Sequence, residues 1–480
     1  MTKTNRRGFL CAAALAGLPA APLQTSAQTA DATQPARDVT RTLARYLVAA
    51  RAGDLPAKVR KEAARTLLNW VGCAVGGSRH ETLDIAIAAL APFSGRAEAT
   101  VLGRPQKLDI FQAALLNGIS SHIFDFDDTH LKTIIHPAGP VASAILALAE
   151  HQPVTGEEFL HALVLGAEVE CRIGNAVYPE HYDVGWHITG TVGPFGAAAA
   201  AGKILKLSEQ QMVWALGLAA TQPVGLREMF GTMTKSFHPG RAAQNGLTAA
   251  LLASKNFTSS NQGIEAARGW ANVLSTSRKY SEITSDLGRT FEIAGNTYKP
   301  FPCGIVIHPA IDGALQLRKA HQLTAAKIER IDLKVHRLVL ELTGKKDPRT
   351  GLESKFSVYH AVAAAIARGT VGEKEFGDAA AKDPELVALR GRVTAEVTPA
   401  VAEDQVHVFI TLKDGRLLEK QIDHAIGSAK NPMTDAQLEA KFATLTEGVL
   451  PPRRVRRLID LCWNIATLPK ASDLARAAAG

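Results

Sequence analysis

The sequence predicts a mainly α fold: a large all-helical domain carrying a smaller α+β lid domain. Three observations predict it. Apolar residues recur at helical spacing almost unbroken from about Thr40 to about Asn272. Strand alternation enters only after about Ser275, and helix signals return after Asn431-Pro432. The 480 residues, 46% hydrophobic and 21% charged, have a globular composition and length enough for two or three domains. The expected parts are a leader at 1–30, a helical domain at 36–275, an α+β lid at 276–425, and C-terminal helices at 426–480 that return to the helical domain.

In chain order, Asn5-Arg6-Arg7-Gly8-Phe9-Leu10 is a twin-arginine pattern. An apolar stretch to about Leu23 and small residues at Thr25-Ser26-Ala27 complete a signal peptide. This predicts export and a periplasmic location. The stretch is short and rich in Ala, Gly and Pro, and later apolar runs such as Val141–Ala149 are also too short to span a bilayer. No membrane association is expected once the signal is removed.

Pro56 near a first turn, then Leu67, Leu68, Val71 and Val75, predict a buried helix. Thr155–Glu158 and Ser208–Gln211 read as capping boxes. Beyond Ser275, Ile331, Leu333 and Val335 alternate with polar residues, as do Val393–Val397 and Val406–Leu412. Asp414-Gly415 predicts a hairpin turn into Arg416–Ile422. Helices are expected at Ile311–His321 and Val358–Arg368, and a further cap at Thr434–Gln437.

Composition excludes several functions. Formal net charge is +8, to which Lys3, Arg6 and Arg7 of the leader contribute, and no basic tract is interleaved with aromatics. Nucleic-acid binding is therefore not expected. Five separated cysteines without a CxxC argue against structural zinc, clustered iron–sulfur ligation and a disulfide scaffold.

Four segments carry the chemistry. His122-Ile-Phe-Asp125-Phe-Asp127-Asp128-Thr129-His130, with His136-Pro137, is the densest ionisable cluster, suited to acid/base work but matching no standard metal-ligand spacing. His187 precedes the Gly/Ala-rich helix that follows Asp183–Thr191, where free N–H groups favour anions. Lys235, His238 and Arg241 stand beside an expected turn in Thr232–Arg241 and suit a carboxylate or phosphate. Pro300 and Pro302 stiffen the chain around Lys299 near the change of domain character; Cys303 has no evident partner pattern for a nucleophile.

Taken together and in order, these segments resemble the MmgE/PrpD family. The resemblance runs through DFDDTH…HP at Asp125–Pro137, GWHITGT at Gly185–Thr191 and TKSFHPGRAAQNG at Thr234–Gly246. It continues through KPFPCGIVIHPAID at Lys299–Asp312, ESKFSVYHAVAAA at Glu353–Ala365 and NPMTDAQLEAKF at Asn431–Phe442. The family includes 2-methylcitrate dehydratases, cis-aconitate decarboxylases and epimerases of aspartate-derived dicarboxylates. The resemblance implies a homodimer, a small polycarboxylate substrate, and no cofactor or metal. It places Asp125, Thr129, His136, His187, Lys235 and Lys299 at polar positions of the pocket. Decarboxylases carry a His directly after the position of Cys303, where this chain has Gly304; the departure sets dehydration ahead of decarboxylation.

Removing a C–H beside a carboxylate generates a highly charged aci-carboxylate, so cations must stand where that charge develops. The expected catalytic groups are Asp125, His136 and His187. Thr129, Lys235, Arg241 and Lys299 are the expected substrate-binding groups. Epimerisation of a dicarboxylate in the same pocket, or decarboxylation of the cis-aconitate type, is the alternative, and a non-catalytic carboxylate-binding protein is the reading least expected.

Overall fold

The computed structural model describes residues 38–480; the leader expected at 1–30 lies outside the described residues. Among helices of seven residues or more, the first nine are α1 (Val39–Ala49), α2 (Ala57–Gly77), α3 (Glu81–Leu90), α4 (Ile110–His122), α5 (Ala138–His151), α6 (Gly156–Val177), α7 (Ile188–Ile204), α8 (Glu209–Ala220) and α9 (Thr234–Ser254). Pro56 caps α2, whose Leu67, Leu68, Val71 and Val75 are fully buried. Thr155 and Ser208 close capping boxes with Glu158 and Gln211 at the starts of α6 and α8. Helix α7 is buried on all sides, which its Ala197–Ala201 run permits by keeping α6 and α9 close.

Seven helices follow: α10 (His308–His321), α11 (Arg337–Thr343), α12 (Val358–Arg368), α13 (Pro384–Arg390), α14 (Asp435–Thr446), α15 (Pro452–Trp463) and α16 (Ser472–Ala478). Two small strand pairs lie in the chain: β1 (Ala99–Thr100) with β2 (Lys107–Leu108), and β3 (Asp128–His130) with β4 (Asn296–Tyr298). Strands β5 (Ile328–Val335), β6 (Val393–Val397), β7 (Val406–Leu412) and β8 (Leu417–Ile422) form one sheet in the order β6-β5-β7-β8. Only β5 and β6 run parallel. Val406, Val408, Ile410 and Leu412 point inward, as the alternation predicts, and α10 covers that part of the sheet. From the C-terminal segment, α14 and α15 pack on α2, and α16 on α5 and α15.

Two readings need correction. The β1–β2 pair interrupts a stretch read as helical almost throughout; at two residues per strand it is too short to show alternation. The expected turn in Thr232–Arg241 is mostly helix, because α9 begins at Thr234 and continues through Pro239. Pro239 removes one bond in the second turn, early enough for the helix to propagate beyond it.

Two features of this fold position the site. Helices α4 and α9 cross where neither has a side chain: a Cβ on Gly118 would fall 2.4 Å from the Gly240 Cα. The antiparallel register Asp128↔Tyr298, Thr129↔Thr297, His130↔Asn296 sets the chain before Asp128 beside the chain after Tyr298.

Candidate active site

The glycine crossing brings the end of α4 to the start of α9, where the Lys235 ammonium donates to His122 Nε2 at 2.7 Å. His122 Nδ1 donates in turn to Asp127 Oδ2 at 2.6 Å. The β3–β4 register brings Lys299 to the Asp125 loop. Asp125 Oδ1 receives Lys299 at 2.6 Å and Lys235 at 3.1 Å. Asp125 has a left-handed backbone, φ 51°, a conformation Asp tolerates better than most residues.

Lysines fasten three consecutive carbonyls of that loop. Lys355 donates to the Phe124 carbonyl at 3.0 Å, Lys299 to that of Asp125 at 3.1 Å, and Lys441 of α14 to that of Phe126 at 2.6 Å. Lys355 also reaches the Pro302 carbonyl and Lys441 the Lys299 carbonyl, so the same cations hold the Lys299 strand end in place.

His136 Nδ1 lies 2.7 Å from the Asp128 carbonyl oxygen, and His187, which caps α7, meets His238 Nδ1 to Nδ1 at 2.8 Å. Asp125, His136, His187, Lys235 and Lys299 all line one cavity of about 30 Å³. Phe230 and Phe356 close it, with the Lys235 ammonium 5.3 and 5.6 Å from their ring centres. Gly304 and Thr343 complete its wall from the α+β segment.

Burial decides most protonation states here. Burial alone raises the Asp125 pKa, but Lys235 and Lys299 outweigh it and hold the carboxyl well below its ordinary range. Asp127 is likewise held low, His122 and His136 outweighing burial. Asp128 goes the other way, pushed up to about 7 by burial and by its neighbour Asp127. Burial lowers His136 and His238 to about 3 and His187 well below the ordinary value, so these imidazoles are neutral at pH 7. It also lowers Lys235.

Ring nitrogens of His122, His136 and His187 approach within 4.8 Å of one another, as ligands of a metal ion would. Both His122 nitrogens are engaged, however, and two ammonium groups share the space. His122, Asp125, Asp127 and His136 form a second such group, but there too His122 has both nitrogens engaged, and Asp125 Oδ1 is held by both ammonium groups.

Five of the seven expected residues converge on the cavity. Thr129 is fully buried but stands behind the wall, its Oγ1 3.4 Å from His136 Nδ1 and its carbonyl accepting from Thr297. Arg241 is exposed and pairs with Gln244, because helical rather than turn geometry carries it to the outer face of α9. His122 and Asp127 stand in the cluster read as suited to acid/base work and His238 in the basic segment read as suited to an anion, but none of the three is among the seven expected site residues. Tyr182, Phe230 and Phe356 carry no polar pattern that marks a cavity wall. Cys303 is buried, with its thiol pKa raised by that burial, which suits no nucleophile.

A buried acid/base cluster with two ammonium groups stands where a helical segment meets an α+β segment. Residues 41–283 match the MmgE/PrpD N-terminal domain and residues 301–465 the MmgE/PrpD C-terminal domain, and the chain belongs to the MmgE/PrpD family. It is 27% identical over 455 residues to a Homo sapiens protein named cis-aconitate decarboxylase, covering 91% of this chain and 94% of that one. An Aspergillus terreus protein of the same name is 26% identical, covering 88% and 92%. The 2-methylcitrate dehydratase of Cupriavidus necator is 24% identical, covering 77% and 82%.

Proposed function

We propose that the protein is a cofactor-independent lyase that dehydrates a 2-methylcitrate-like hydroxy-polycarboxylate. One observation carries the reading. The Asp128 carbonyl only accepts hydrogen bonds, so the His136 proton is on Nδ1 and Nε2 keeps its lone pair. His136 lines the cavity and is neutral at pH 7. That is a general base beside two ammonium groups.

In this reading His136 Nε2 takes the C–H proton and Lys299 faces the carboxylate on which negative charge develops. Lys235, with its pKa lowered by burial, gives a proton to the departing hydroxyl as the C–O bond breaks. The His122–Asp127 pair orients Lys235. A cavity of about 30 Å³ admits water but not a tricarboxylate. Phe230 and Leu342 also face an open groove of about 1060 Å³ that holds Arg227, Arg337 and Lys345, so substrate enters there as those two side chains withdraw.

The second reading is decarboxylation of cis-aconitate, favoured by the identities and coverage of the relatives bearing that name. Proton NMR in D₂O with 2-methylcitrate, citrate and cis-aconitate separates the two. Vinyl signals arising from a hydroxy acid support the dehydratase; itaconate arising from cis-aconitate supports the decarboxylase. His136→Asn lowers the dehydration rate by about 10²–10⁴-fold; full activity in that variant removes His136 from the role.

A further inference from the structure

Partner chemistry fixes the tautomers of two imidazoles at this site. His136 donates from Nδ1 to a carbonyl. His122 donates from Nδ1 to Asp127 and accepts from Lys235 on Nε2. Both therefore carry their proton on Nδ1. His187 has no carbonyl or carboxylate to decide for it. Its Nδ1 faces His238 Nδ1 at 2.8 Å, and of two neutral rings meeting this way one donates and the other accepts.

The fold makes a seat for His238. His238 is 2% exposed, and it stands one helical turn beyond Lys235 on α9. Gly225, at φ 108°, has no Cβ to place 2.8 Å from the His238 Cγ and Nδ1. The Gly225 carbonyl accepts the His187 backbone N–H at 3.1 Å, so one short stretch of backbone registers both rings. With Nδ1 held by His238, His187 keeps Nε2 for the cavity it lines.

We propose that His238 is a positioning residue: its Nδ1–H donates to His187 Nδ1 and so holds the His187 proton on Nε2, making His187 a hydrogen-bond donor to substrate oxygen. This rests on the reading of the cavity as a lyase site for a polycarboxylate. Such a substrate offers carboxylate oxygens, which are acceptors, and a second lone pair beside that of His136 Nε2 would repel them. A neutral imidazole N–H in this place binds a developing oxyanion without taking up or losing a proton. The groups facing the His187–His238 pair are His122, His136 and Lys235; of these the Lys235 ammonium carries a charge, and its positive sign disfavours a second proton on the pair.

The test uses the full chain with ¹⁵N-labelled histidine and long-range ¹H–¹⁵N correlation at pH 7, His187 being assigned by its loss in His187→Gln. The expected spectrum shows a protonated Nε2 and an unprotonated Nδ1; the reverse pattern overturns the proposal. In His238→Leu, which removes the donor, His187 becomes a mixture of tautomers. In His238→Asn, whose amide N–H₂ can donate from the same place, the Nε2–H form persists. With the substrate found in the panel above, kcat falls about 10²-fold in His238→Leu and returns to within about tenfold of the parent in His238→Asn, with KM less affected. Equal losses in the two variants, or no loss in either, also overturn it. Should no substrate in that panel turn over, the tautomer of the parent protein still decides the proposal independently of the lyase reading.

Discussion

Replacing Asp125 by Asn removes one charge while keeping the shape, an acceptor oxygen and a residue type that accepts the left-handed backbone at φ 51°. The native Oδ1 receives Lys299 at 2.6 Å and Lys235 at 3.1 Å. At an effective dielectric of about 20 each contact is worth roughly 5–6 kcal/mol of attraction. Desolvation of three buried charges cancels much of that in the wild type. The variant loses the counter-charge but keeps both ammonium groups buried, for an expected net loss of about 3–5 kcal/mol. Lys235, already lowered by burial, falls further without Asp125. The folded variant then binds fewer protons than the unfolded chain, so its stability rises with pH and its deficit narrows between about pH 7 and 9. Thermal denaturation of both proteins at these two pH values, with and without citrate, is the assay. Citrate supplies the missing negative charge and raises the Tm of the variant more than that of the wild type. A variant as stable as the wild type at pH 7, or a deficit that widens with pH, refutes the idea that Asp125 is the counter-ion of two charged lysines.

The remaining predictions concern the cavity wall and its imidazoles. Gly304→His meets Thr343 Cγ2, which lies 2.8 Å from a Cβ at that position, and loses stability. The double variant with Thr343→Ser recovers most of the loss and releases CO₂ from cis-aconitate faster than the parent, read by headspace CO₂; an unchanged rate removes Gly304 from substrate choice. His136, lowered to about 3 in the folded protein, makes folding less favourable as pH falls below the ordinary value of about 6.5, because only the unfolded chain takes the proton. The stability difference between wild type and His136→Asn therefore moves against the wild type by about 1.4 kcal/mol per pH unit from about pH 6.5 toward 5, as denaturant midpoints would show; a constant difference contradicts the buried neutral imidazole.

Local rules made the helices and the four-stranded sheet legible. Caps at Thr155, Ser208 and Thr434 and alternation in Val406–Leu412 depend on neighbours within a few residues, and each stands where those signals place it. Lys299 was legible as a cleft residue because two prolines and a change of pattern mark its surroundings. The rest of the site depends on partners remote in sequence. His122 is 113 residues from Lys235, and His187 is 51 from His238. Nothing in the spacing of either pair says that they touch. Arg241 shows the converse: a motif of basic residues suggests a common ligand, but helical rotation sends Lys235 inward and Arg241 outward. The depth of the Asp125–Asp128 segment also escapes local reading, since an Asp-rich loop is ordinarily solvated and this one is buried only because lysines from three other segments reach it.

Those lysines give the site an order of manufacture. A ribosome delivers Phe126 315 residues before Lys441, the donor that fastens its carbonyl. At 5–20 residues per second that is an interval of roughly 15–60 s. Throughout it the loop that presents Asp125 lacks one of its three fastenings, however well the earlier helices have packed. A chain released after Lys299 but before residue 441 carries every residue assigned to the chemistry and still lacks the ammonium that holds Phe126 and Lys299 together. The loop that presents Asp125 thus gains its full set of fastenings only when synthesis is almost finished.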